Sequence, residues 1–288
     1  MTKATQPGPA ALGLGLPPAA SRARPRARRT VNTPVTAGRA PFDLDTVARP
    51  SLLAEEVVSM TATGQDMDAA RLIRGLEDDR SSVRLRAAMA VGTTPDPRFV
   101  EQLVERCAIE PEFFVRDMLT WALTRHPAST TLPRLLLELR SERAQARSQA
   151  LHTLSKIGDR RAWPGITRAL LSDADDEVAR SAWRAAVLLV PGGGESALAV
   201  VLATQLGRGG RETQLSLSRA LVALGEATAP ALHTAATASG PRVRAHALAT
   251  QRLLRDPDAG FGFAIEEAKR IVALGGADGA DGADGEGQ

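Results

Sequence analysis

The chain has 288 residues, with 36 Lys plus Arg against 33 Asp plus Glu, 43% hydrophobic residues, 3% aromatic residues and no tyrosine. A single cysteine, Cys107, excludes an internal disulfide framework and a multi-cysteine zinc site, and it points to a reducing compartment. The longest apolar runs, 185–190 and 197–203, are separated by Pro191-Gly192-Gly193-Gly194-Glu195, and neither approaches the roughly 20 residues of a membrane helix; no membrane partner is expected.

Residues 1–46 read as a disordered basic tail. Pro7, Pro9, Pro17, Pro18, Pro25, Pro34 and Pro41 break any period before Asp43, and the first 50 residues carry a net charge of +6. Within them Arg22, Arg24, Arg26, Arg28 and Arg29 form the one run that would grip phosphates by charge alone, which makes nucleic acid a possible partner. No apolar stretch of roughly 7–15 residues follows, so the run does not read as a secretory signal. The prolines also argue against the amphipathic helix of a transit peptide.

Residues 47–274 are expected to form one repeat domain, with a stretch from Leu52 to Met60 closing its N-terminal end. Helix starts at Val83, Val115, Ala146, Val178, Thr213 and Val243 are separated by 32, 31, 32, 35 and 30 residues. Counting from each start, offsets 4, 7, 8 and 11 are mostly small or apolar, as in Ala150, Thr153, Leu154 and Ile157; with offset 0 they make one face of a 3.6-residue helix. A first helix precedes each of these second helices. The seven first helices are expected near 68–77, 97–107, 131–140, 162–171, 195–206, 228–238 and 260–273. Pro133 and Pro164 are read as first-turn prolines, and the acidic turns, such as Asp173 to Asp176, as caps for the second helices. Gly92, Gly158 and Gly225 read as left-handed helix-closing residues. The helix from Phe261 to Leu274 has no partner and is expected to cap the stack, and residues 275–288, with Asp278, Asp281, Asp284 and Glu286, read as a disordered acidic tail.

A helical pair of about 31 residues, with proline in the first helix, Val-Arg opening the second, alanine at fixed offsets and a closing Ile157-Gly158-Asp159, resembles the short HEAT-like repeat named after phycobilisome lyases. The resemblance spans about Asp66 to Leu274 and implies an all-α, right-handed α-solenoid of stacked antiparallel helix pairs. It also raises, as a third reading, a bilin-lyase-like transferase or chaperone. The connector Gly192 to Gly194 and the unit starting at Thr213, without valine or arginine, depart from the pattern.

Candidate chemistry is sparse. His126, His152, His233 and His246 are not followed by glutamate, unlike the iron-binding pairs of HEAT-repeat hydroxylases resembling deoxyhypusine hydroxylase, and Cys107 sits in an apolar helical pattern that reads as packing. No catalytic residue, cofactor, metal or small-molecule substrate is indicated. Offset 6 lies about 240° around the helix from its start, nearly opposite the apolar face, and successive repeats place Met89, Trp121, His152, Arg184 and Arg219 there. Asp117 and Arg180 at offset 2, and Arg125 and Lys156 at offset 10, flank this row. The combination points to a non-catalytic scaffold or adaptor that presents the row, on a concave helical surface, to another protein. Arg84, Arg116, Arg147 and Arg244 at offset 1 are read as partners of turn acids such as Asp79, Glu112, Glu142 and Asp176, rather than as a DNA-binding ladder, because the body is nearly neutral. Thirty-three arginines against three lysines suggest a GC-rich coding sequence and a bacterial, cytoplasmic protein.

Overall fold

The computed structural model describes residues 66–277, apart from 239, 257 and 259; the arginine run at 22–29, the 52–60 segment and the acidic tail lie outside the described residues. Among the described residues there are helices and no strands. In chain order the α-helices are α1 (66–76), α2 (Ser81–Thr93), α3 (Val100–Cys107), α4 (Phe113–Arg125), α5 (Ala128–Glu138), α6 (Ala144–Ile157) and α7 (Arg168–Leu171). They continue with α8 (Asp176–Leu189), α9 (Glu195–Ala203), α10 (Arg211–Ala223), α11 (Ala229–Ala238), α12 (Pro241–Arg255) and α13 (Phe261–Ala277). Short 3-10 turns at Pro97–Phe99, Arg160–Gly165 and Gly225–Thr228 lead into α3, α7 and α11.

The second helices form one layer, α2 on α4, α4 on α6, α6 on α8, α8 on α10 and α10 on α12, and α4, α6, α8, α10 and α12 each also pack against their own first helix. The apolar periodicity explains why. Offset 4 is buried in all six second helices (Ala87, Leu119, Ala150, Ala182, Leu217 and Ala247), and the offset 8 residues Val91, Leu123, Leu154, Ala186 and Leu221 are buried beside them. Each leucine buried this way contributes roughly 1.5–3 kcal/mol, and the alanines let helix axes approach closely. Trp183, wholly buried, satisfies its indole N–H on the Leu171 carbonyl at 2.8 Å and so fastens α8 to α7.

A recurrent polar device closes the turns before α2, α4, α6 and α8. The side chain five residues before the helix start accepts the N–H two residues further on: Asp78 from Arg80, Glu110 from Glu112, Ser141 from Arg143 and Asp173 from Asp175, at 2.9, 2.9, 3.3 and 3.0 Å. The offset 1 arginine then clamps two carbonyls of the same turn: Arg84 those of Asp78 and Asp79, Arg116 those of Glu110 and Pro111, Arg147 those of Ser141 and Glu142. The remaining edge of Arg84 takes Glu110, and that of Arg147 takes Asp173, both from the following repeat. The acid partners are therefore Glu110 and Asp173, not Asp79, Glu112, Glu142 and Asp176. Capping by the turn acids is confined to Asp175, which accepts from the N–H groups of Glu177 and Val178 at the start of α8.

Three expectations are corrected. Gly158 and Gly225 do close helices with positive φ, at 69° and 63°, but Gly92 lies inside α2, where its missing Cβ makes room for the Trp121 indole. Pro133 lies in the interior of α5, and Pro164 falls within a 3-10 turn, so the expected 162–171 helix is reduced to the single turn of α7. The third concerns α13, which does not extend the first-helix layer. Its stripe of Phe261, Ala264, Ile265 and Ala268 packs with Ala245, Ala249 and Leu253 of α12, and with Leu215 and Val222 of α10, in a cluster separate from the main core. Ala245 and Ala249 stand at offsets 2 and 6, so α13 lies on the same face as the Arg184–Arg219 row. At Leu215 and Val222 of α10 and at Ala245, Ala249 and Leu253 of α12 that face is apolar, and it matches the stripe of α13.

Candidate functional site

The second-helix face that turns away from the first helices carries a groove of about 550 Å³ across α4, α6, α8 and α10. Five of the nine residues expected in the row meet there: Asp117, His152, Arg180, Arg184 and Arg219. The other four, Met89, Trp121, Arg125 and Lys156, are exposed but lie outside the groove lining. Trp121 is 39% exposed because one edge of its ring lies over Gly92.

The groove exists because small side chains alternate with long ones. Ser148 and Ser181 are buried at its floor, whereas Arg184 and Arg219 at offset 6 rise to solvent. Phe113, 64% exposed and stacked edge-on with Phe114 at 5.6 Å between ring centres, forms an aromatic rim. Periodicity missed Phe113 and the serines because they precede the helix start or stand at offsets 2 and 3, positions that become functional only when neighbouring helices are placed side by side.

Charge is unevenly satisfied. Arg180 pairs with Glu177, and Arg116 is occupied by backbone carbonyls. Arg184 donates to the Ser181 hydroxyl at 3.2 Å, while Arg219, Asp117 and Glu212 form no ion pair with any described residue. Desolvation, then the nearby positive charges of Arg184 and Lys156, holds the half-buried His152 imidazole below its ordinary pKa against the opposing pull of Asp117. Desolvation and the neighbouring Arg180 shift Arg184 downward too. Burial leads both shifts, and the groove sets the unpaired Arg184 and Arg219 beside the likewise unpaired Asp117 and Glu212.

Burial pushes the Cys107 thiol up to about 12, a value that suppresses the reactive thiolate. Among the described residues no group of three or more His, Cys, Asp or Glu side chains is placed to hold a metal ion. His126 hydrogen-bonds the carbonyls of Ala122 and Asp96, and His246 is enclosed between α10 and α12. No helix among the described residues is long and apolar enough to cross a membrane. No protein-family model matches the chain, and no curated protein matches it.

Proposed function

We propose that the protein is a non-catalytic scaffold, a right-handed α-solenoid of the ARM/HEAT type, whose second-helix face binds an acidic segment of a protein partner in the cytoplasm. The observation that carries this reading is the groove itself: His152, Arg184 and Arg219 from three successive repeats converge on one cavity with an aromatic rim. Two of its cations lack a carboxylate partner among the described residues. Arginine on a rigid helical platform suits carboxylate recognition because its planar fork is pre-organised. The placement of α13 adds support, since the same face already receives a helix of this chain at its C-terminal end.

The test is affinity capture from native extract at moderate salt with wild type and with an Arg184→Glu, Arg219→Glu variant. A protein retained by wild type, resistant to nuclease and lost from the variant is the expected result. Capture that disappears with nuclease and survives the double substitution would replace this reading with nucleic-acid binding through Arg22 to Arg29.

A further inference from the structure

A second and larger cavity, about 740 Å³, lies beneath α13 at the starts of α10 and α12. Its apolar surface includes Ala245, Phe261, Ile265 and Val272. Four cations stand around it, Arg211, Arg242, Arg244 and Lys269, against one carboxylate, Glu266, which Lys269 already engages at 2.8 Å. Arg242 donates to the Gly209 carbonyl, and Arg211 lies against Gly262, where a Cβ would stand 2.3 Å from a guanidinium nitrogen.

Arg244 is the informative member because the chain contains its own comparison. It is the offset 1 arginine of α12, equivalent to Arg84 and Arg147. In those two, the Nε and Nη2 edge meets both oxygens of one carboxylate, at 2.7 and 2.8 Å for Arg84 with Glu110 and at 3.0 and 3.1 Å for Arg147 with Asp173. Each carboxylate comes from the next repeat. Among the described residues no further repeat follows α12, and α13 instead packs across the face of α10 and α12. The Nε of Arg244 is consequently buried with no acceptor among the described residues, an unfavourable state for a guanidinium N–H.

We infer that this cavity binds a long-chain monocarboxylate, whose carboxylate takes on Arg244 the place that Glu110 takes on Arg84. Its hydrocarbon chain lies along Ala245, Phe261, Ile265 and Val272. The volume falls within the roughly 300–1,000 Å³ range of small-ligand sites. A peptide is disfavoured because Gly209 and Gln214, which would pair with a backbone, already bond each other, and Arg242 takes the same Gly209 carbonyl. Arg211 and Arg242 add attraction at the carboxylate end, since both belong to the first two residues of their helices.

The experiment is calorimetric titration of the full chain with sodium laurate below its micelle concentration, repeated with 1-dodecanol and with two variants. One saturable laurate site is expected, with dodecanol at least about tenfold weaker, and Arg244→Gln weakening laurate by at least about tenfold. Ala273→Trp, at an exposed position of the cavity lining, should abolish binding by filling the space without touching the core, so a folding defect in the arginine variant does not obscure the outcome. Absence of saturable laurate binding to wild type would overturn the inference. So would binding that is indifferent to the headgroup, to Arg244→Gln or to Ala273→Trp.

Discussion

Glu110 shows how one side chain ties several turns together. It is wholly buried, accepts from Arg84 and Arg106, and also accepts the Glu112 N–H. Burial pushes its carboxyl up, but the Arg84, Glu112 and Arg106 hydrogen bonds outweigh this and leave it at about 2. His246 is the neutral counterpart. It accepts the Gly207 N–H at Nδ1 and so carries its proton on Nε2, facing the Gln214 carbonyl, while burial and then the Arg242 charge outweigh that bond and hold it at about 4. Both folded values lie below the ordinary ones, so the unfolded chain binds more protons, and stability falls as pH falls. The His246 contribution is lost between about pH 6.5 and 4, and the Glu110 contribution between about pH 4.5 and 2. Each amounts to on the order of 3 kcal/mol. Urea midpoints measured against pH should show both limbs, and His246→Gln should flatten the upper one; a midpoint constant from pH 7 to 4 would contradict the assignment. Glu110→Ala should cost about 3–5 kcal/mol, because it strands two arginines. A Cβ at Gly92 would stand 2.2 Å from the Trp121 ring. Gly92→Ala should therefore destabilise by about 1–3 kcal/mol, and a Trp121→Ala background should relieve part of that in a double-mutant cycle. Trp121 reads as a fully projecting indole from its offset alone. Only the glycine on the neighbouring helix reveals that it is half covered.

At the scale of the element, the repeat was legible because offsets 0, 4, 7 and 8 recur as a mostly buried face at nearly constant spacing, and the second helices α2, α4, α6, α8, α10 and α12 fall at the expected places, whereas the first helix expected at 162–171 shrinks to α7. Two units carry Ala179 and Gln214 where the others have the offset 1 arginine. They are repaired from the next repeat. Arg208 donates to the carbonyls of Asp173 and Ala174, the pair that an arginine at 179 would clamp, and Arg242 reaches Gly209 beside Gln214. Arg208 also bonds Asp176, so it does the work of a local clamp and an inter-repeat ion pair together. No periodic rule in one dimension discloses this, since the substitute comes from 29 residues further along the chain. Arg208→Ala should destabilise by roughly 1–3 kcal/mol through loss of charge-assisted hydrogen bonds. Adding Ala179→Arg should recover part of the loss, since Arg84 occupies the equivalent buried position. If the double variant melts below the single one, the equivalence of the two arginines is wrong. The position of α13 was illegible for a related reason: its stripe is equally suited to either side of a helix layer, and the choice was made by Ala245 and Ala249 together with Leu215 and Val222.

Across the described molecule, the outer face of the second helices changes character along the chain. At α4 to α10 it is a polar groove rimmed by Phe113; at α10 to α12 it is apolar and covered by α13. The candidate row was half legible, because helical offset predicts which way a side chain leaves its helix but not which neighbours share a cavity with it. The scaffold reading depends on that groove being the surface that meets a partner. The most direct measurement replaces Phe113 with a photo-crosslinking phenylalanine analogue and compares it with the same analogue at Leu137, which is 57% exposed on the first-helix side in α5. Crosslinks to one protein from position 113, absent from position 137 and lost when Arg184→Glu and Arg219→Glu are added, are the predicted result. Equal crosslinking from both positions, or crosslinking from 113 that ignores the two arginines, would contradict it.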